Sequence, residues 1–371
     1  MESTAPGASE RSRLSGVHVL QLLAVLALMV YHYTYRYAVP GESTLPLSQR
    51  IARHGFLGID VFLMVSGFLI VCSARGHTAT EFVRARVLRR FPEFWIAVLV
   101  SGLIFHFAPI HAGRIPSVGT VVANLSMVPQ LLGFPMVDAL YEILSEEVRF
   151  SFVIWGVVLL GLVKRIDRFL FAIIALSLVG TVTSLPVGVR ALIDFPVGPL
   201  FAIGGLLALV HDSGWTATRA TAVILGLLAS CVFALREMTS YVDPAHIDTV
   251  ASFTTVLIIV VACALMATLG ARDIGARDIG ARDIGTGLGR YVPVACALAY
   301  PLLLLESTGK AVFLMGIVSG PRPLLLLAAV AFSFTAACAV MKFGTGPVRS
   351  RLRQSIDSAV PRASLPEPRT P

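Results

Sequence analysis

Five places in this 371-residue chain carry side chains whose type and setting could do acid–base or anion chemistry. His32 closes an apolar run in Met29-Val30-Tyr31-His32-Tyr33, and Asp60 interrupts another in Gly58-Ile59-Asp60-Val61-Phe62. Glu146 and Glu147 open a third apolar stretch, and Glu306 stands late in a fourth. Arg86, Arg89 and Arg90 make a basic cluster at the head of another. An imidazole accepts and returns a proton near neutral pH, so His32 is the candidate general base. Carboxylates can orient an imidazole or stabilise its charged form. Guanidinium forks suit phosphate groups.

The elements that must position these groups follow from composition. The chain is 56% hydrophobic and only 14% charged, with a mean hydropathy of +0.80. Soluble domains are about 25% charged and need that charge to cover their surfaces. The composition excludes a soluble enzyme and a disordered chain. It implies an all-α, polytopic membrane bundle, because every backbone polar group in lipid must be satisfied internally. Stretches of about 20 apolar residues divide the chain into about ten spans: 17–37, 55–74, 91–110, 148–163, 169–185, 195–210, 217–235, 249–269, one beginning at 291 and ending between 305 and 317, and 324–341. Residues 117–134 are expected to form an outer loop with an interfacial helix. With the N-terminus inside, 21 of the 30 Arg and Lys fall on inner segments and 9 on outer ones. That asymmetry follows the positive-inside rule and places both ends in the cytoplasm. The expected organisation is a polar segment 1–14 without a cleavable signal, a membrane domain 15–343, and a basic, disordered or leaflet-bound tail 344–371.

In that topology His32, Asp60 and Glu147 lie in the outer half of the bundle, and Arg86, Arg89 and Arg90 lie at the inner surface. Ionisable groups at membrane depth are scarce, and each has an ordinary role to weigh. A lone His can be a helix-packing residue, Asp60 can hydrogen-bond a neighbouring helix, and a basic loop can be an orientation signal only. The five cysteines have neither metal nor disulfide spacing, and no His, Cys or carboxylate set has metal-ligand spacing. Residues 270–285 read GARDIGARDIGARDIG, a charge-balanced period of five that matches neither helix nor strand, and are read as a tandem expansion in a tolerant inner loop.

The first 150 residues resemble the bacterial integral-membrane O-acyltransferases called acyltransferase family 3. Four blocks carry the resemblance in order. They are the helix ending Val30-Tyr31-His32, the run Gly58-Ile59-Asp60-Val61-Phe62 through Ser66-Gly67-Phe68, the run Phe82 through Arg86, Arg89, Arg90 and Pro92 to Trp95, and Leu144-Ser145-Glu146-Glu147 through Phe150. In the later half only Tyr300-Pro301-Leu302 matches. The resemblance implies transfer of an acyl group from cytoplasmic acyl-CoA, as co-substrate with no permanently bound cofactor, to a hydroxyl of a sugar or glycosylated acceptor at the inner membrane of a bacterium. Membrane lipid is the surrounding partner, and nucleic acid has no part. Carried over, His32 is the general base, Asp60 or Glu147 orients it, and Arg86, Arg89 and Arg90 hold the CoA phosphates. Ser66, Gly67, Phe68 and Ser145 support the motifs.

This chain departs from the family at three places. Gln21 stands where the family has a cation eleven residues before the His, Glu142-Ile143-Leu144 replaces Trp-Ser-Leu, and Leu303-Leu304-Leu305-Glu306 replaces a late Tyr-x-x-His. The chain ends soon after the tenth span, which suits direct acylation without a hydrolase-like relay domain. The alternatives are an exporter of an acylated or acidic small molecule, and a family member without activity.

Overall fold

The computed structural model describes residues 15–36, 47–107, 115–180, 183, 186, 188–189, 196–272, 292–316 and 322–359. Among the described residues the chain is all-helical, 87% helix, with no strand. Helix α1 spans Ser15–Val30 and runs on as a π-helix over Tyr31–Tyr35. The short α2 (Leu47–Ala52) leads through a 3₁₀ turn into α3 (Gly58–Ala74). Next come α4 (Ala79–Phe107), the short α5 (Val118–Asn124), α6 (Tyr141–Leu159) and α7 (Ile166–Gly180). Helices α8 (Gly198–Ser213), α9 (Ala217–Tyr241) and α10 (Thr249–Arg272) follow. The chain closes with α11 (Val292–Ala297), α12 (Ala299–Gly316), α13 (Arg322–Phe343) and α14 (Arg349–Ala359).

Five helical stretches are long and apolar enough to cross a membrane: Gly16–Tyr35, Leu47–Ala74, Ala217–Tyr241, Thr249–Leu269 and Leu324–Ser358. Of the other five long helices, α7 and α8 are shorter, α4 and α6 carry charged side chains, and α12 includes Glu306 and Lys310. The outer faces are apolar. On α10, Val250, Phe253, Leu257, Val261 and Leu265 are exposed, while Ala251, Thr255, Ala262 and Cys263 face inward. Ile259 and Met266 are buried beside these small and polar residues, and the exposed face is mostly apolar, as on a helix solvated by lipid.

The centre is α3. It packs most extensively on α8 and also on α1 and α6. Glycine makes this possible. A Cβ at Gly67 would overlap the Phe201 carbonyl, and one at Gly204 would overlap the Met64 carbonyl. The two backbones therefore touch at that crossing. Gly58 stands in the same relation to the Ala24 carbonyl of α1, and Gly55 to the Ala27 carbonyl, so α3 runs antiparallel to α1. Gly67→Ala should destabilise the protein by about 1–3 kcal/mol, through forced separation of α3 from α8. Gly156→Ala, where a Cβ meets open space, should not. Thermal unfolding in detergent compares the two, and equal melting would refute the contact.

The helix α5 lies within 117–134. Residues 344–359 of the tail are ordered as helix: a π-turn over Gly344–Val348 leads into α14, which packs on α4 with an Arg84–Asp357 ion pair. An acid at Asp357 can pair with the arginine helix, a contact that net basicity hides. Segment 1–14, repeat residues 273–285 and tail residues 360–371 lie outside the described residues.

Candidate functional site

His32 sits in the π-helical turn that ends α1. The N–H of Arg36 donates to the Tyr31 carbonyl five residues back, at 3.0 Å. Such wide turns are concentrated at functional sites because they redirect side chains. Three tyrosines pin this turn in place. Tyr31 donates to the Tyr241 carbonyl at 2.5 Å, Tyr33 to the Glu306 carbonyl at 2.8 Å, and Tyr35 bonds His246 Nδ1 at 3.1 Å. The turn is thereby tied to α9, to α12 and to the loop after α9.

His32 Nδ1 lies 2.9 Å from Glu306 Oε1. The contact is close but off the line of a regular hydrogen bond. Glu306 is wholly buried, whereas the His32 side chain keeps 13% exposure. Behind Glu306 runs a set of buried hydroxyls. Tyr33 Oη meets Ser333 Oγ at 2.9 Å, Thr308 Oγ1 meets Ser101 Oγ at 2.8 Å, and Ser101 Oγ meets Tyr141 Oη at 2.9 Å. These bonds hold α12 against α1, α4, α6 and α13, so the carboxylate cannot easily drift from the imidazole. The fully buried Asp138 adjoins this region and accepts the Leu140 N–H at 3.0 Å.

The imidazole opens onto a cavity of about 360 Å³. Its lining includes His32, Asp60, Glu142, Glu146, Glu237 and Tyr241, with Ser307 beside the His32–Glu306 pair. Glu146 is paired with Arg149 one turn along α6. Among the described residues no three His, Cys, Asp or Glu side chains form a group able to hold a metal ion.

The arginines form a second, separate centre. Arg86 and Arg90 both bind Glu147 Oε1, Arg90 through Nε at 3.1 Å and Nη2 at 2.8 Å. All three side chains are almost wholly buried. Arg90 also lies over the Tyr300 ring, 4.3 Å from its centre, and its carbonyl accepts the Tyr300 hydroxyl at 3.3 Å. The triad heads an apolar cavity of about 180 Å³ between α4 and α6, with Phe82, Val87, Phe91, Val148, Phe152 and Trp155 on its walls. Arg89 points elsewhere: it is exposed, and Arg349 of α14 is near enough to act on its charge.

Several expected roles change. Neither Asp60 nor Glu147 pairs with His32; Glu306 does. Glu147 belongs to the arginine centre because successive residues on a helix point about 100° apart. Glu146 and Glu147 thus face different cavities. Arg86 and Arg90 are paired with Glu147, and Arg89 is in no ion pair among the described residues. The Ser66-Gly67-Phe68 motif lines neither cavity; Gly67 makes the α3–α8 crossing, and Phe68 stands edge-on to His211. Ser145 donates to Gln130 Oε1 at 3.3 Å. Gln21 is buried, with no hydrogen-bond partner on Nε2 among the described residues.

Sequence reasoning missed Asp138, Glu142 and Glu237 as parts of the His32 region. Asp138 stands in a loop and Glu237 near the end of a span, where a carboxylate resembles an ordinary interfacial group. The signal that could have found Glu237 is its acidic charge one place beyond Arg236, near the end of an apolar run. The two centres are linked by α12: Tyr300 and Glu306 are separated by ~9 Å along its axis. Compared with known proteins, this chain matches no family model, no curated protein and no solved structure.

Proposed function

We propose that the protein is a membrane-embedded O-acyltransferase. It moves an acetyl or other short acyl group from acyl-CoA to a hydroxyl of a sugar or glycosylated acceptor. The observation that carries this reading is His32 Nδ1 against the buried Glu306 carboxylate, on the wall of a cavity inside an apolar bundle. The likeness of the first 150 residues to acyltransferase family 3 adds to it. So does Glu306 itself, which occupies the place of that family's late His and supplies a partner to His32.

In this mechanism Glu306 holds the imidazole with Nδ1–H toward its carboxylate, which leaves Nε2 as the proton acceptor. Nε2 takes the proton of the acceptor hydroxyl as its oxygen attacks the thioester carbonyl. The tetrahedral intermediate collapses, the C–S bond breaks, and the CoA sulfur leaves with the proton returned from the imidazolium. The products are an ester and free CoA. The lipid-facing spans number ten, with both ends in the cytoplasm of a bacterial inner membrane, a placement supported by the split of Arg and Lys.

Under this reading the donor phosphates meet Arg89 and Arg349 at the inner surface rather than Arg86 and Arg90. Arg89→Ala should raise the apparent KM for acetyl-CoA about tenfold and leave kcat within about twofold, the signature of a lost binding charge. An unchanged KM would remove Arg89 from the donor site. The reading as a whole is tested with purified protein in nanodiscs, by following acceptor-dependent release of CoA thiol from acetyl-CoA. Release with equimolar ester formation supports it; solute transport without CoA release would support an exporter. Among the described residues no Arg or Lys lines the cavity, which favours the enzyme over an exporter of acids.

A further inference from the structure

Among the described residues that line the His32 cavity, acidic side chains outnumber basic ones. Asp60, Glu142, Glu146 and Glu237 line it, and Glu306 stands behind His32. Arg149 offsets Glu146. Asp60 is nine-tenths buried, makes no ion pair or side-chain hydrogen bond among the described residues, and lies on the cavity wall. Glu142, on the facing wall supplied by α6, is likewise in no ion pair among the described residues. A carboxylate taken this far out of water is costly unless a cation or proton reaches it. Nothing about the helix packing requires it there, since the α1–α3 crossing is made by Gly58.

We infer that this cavity selects acceptors that carry a protonated amine close to the hydroxyl to be acylated, with Asp60 and Glu142 as the counter-charges. The inference rests on the acyltransferase reading for the word acceptor, but its charge argument concerns binding alone. An organic ammonium fits better than a metal ion, because the acidic groups do not converge as a metal-binding group among the described residues. The volume of about 360 Å³ falls in the range of small-molecule sites, ~300–1,000 Å³. Tyr241 and Phe56 supply an aromatic wall on which a sugar ring or an ammonium can rest. Ser307 and His32 supply the polar edge near which the reacting hydroxyl would lie.

The test is equilibrium binding of glucosamine, N-acetylglucosamine and glucose to the full chain in nanodiscs, with CoA release followed in parallel. Glucosamine should bind about tenfold more tightly than the two neutral sugars, the effect of one charged hydrogen bond. Asp60→Asn should bring that preference down to about twofold. Glu142→Gln, at a more exposed position, provides the same reading if the Asp60 variant does not fold. Equal binding of the three sugars, or binding of none, overturns the inference. So does an amine preference that survives in both variants. An amine preference without CoA release leaves the inference standing and overturns the acyltransferase reading instead.

Discussion

His32→Ala is expected to abolish acceptor-dependent CoA release, lowering kcat by about 10²–10⁴-fold, the usual contribution of a positioned general base. The substitution leaves a surface of the cavity slightly larger, and the Tyr31, Tyr33 and Tyr35 anchors remain, so the variant should melt like the parent protein. Glu306 acts through His32 and is a positioning residue. Glu306→Gln preserves shape and removes charge; it should lower kcat by about tenfold or more while the KM for acetyl-CoA stays within about twofold. Glu306→Asp should restore part of the loss, because a carboxylate returns to the imidazole side. A purely structural role for Glu306 would instead show in melting temperature and would not distinguish Gln from Asp. Parental turnover in the His32 variant would sink the base assignment, and parental turnover in Glu306→Gln would sink the pairing.

The second large effect concerns folding. Glu147 is the counter-charge of both Arg86 and Arg90, and all three are inside the bundle. Removing one partner of a buried pair leaves the others uncompensated and costs about 3–5 kcal/mol. Glu147→Ala should therefore destroy the folded state or lower its melting sharply in detergent. The double variant Glu147→Gln with Arg86→Met should regain much of the loss, because it removes a buried charge of each sign. Arg90 would keep its contact with the Tyr300 ring. A Glu147→Ala protein that folds and melts normally, yet has lost affinity for acetyl-CoA, would show that the arginines serve the donor and not the fold.

These two results separate roles that look alike along the chain. His32 and Arg86 both stand in apolar helices near charged neighbours, and the family resemblance joined Asp60 or Glu147 to His32. The helix made the difference. Glu146 and Glu147 differ by one residue and therefore by about 100° around α6. One faces the His32 cavity, and the other faces the arginines.

Composition by itself pointed to lipid as the solvent, and apolar run lengths located the helices: long helices among the described residues overlie the expected stretches, and five of them are long and apolar enough to cross a membrane. This was legible because a span needs only local information, namely about 20 apolar residues whose backbone bonds are closed within the segment. Scarcity of charge likewise made His32, Asp60, Glu306 and the arginines visible one at a time. Their partners were not legible. Which carboxylate meets His32 depends on where α12 crosses α1, and which one meets Arg86 depends on how α6 is turned against α4. Those are contacts between residues 274 and 61 places apart along the chain. They follow from helix rotation and from glycine crossings such as Gly67 against Phe201. A sequence pattern records neither; only the packed bundle decides that His32 belongs to Glu306 and Glu147 to the arginines.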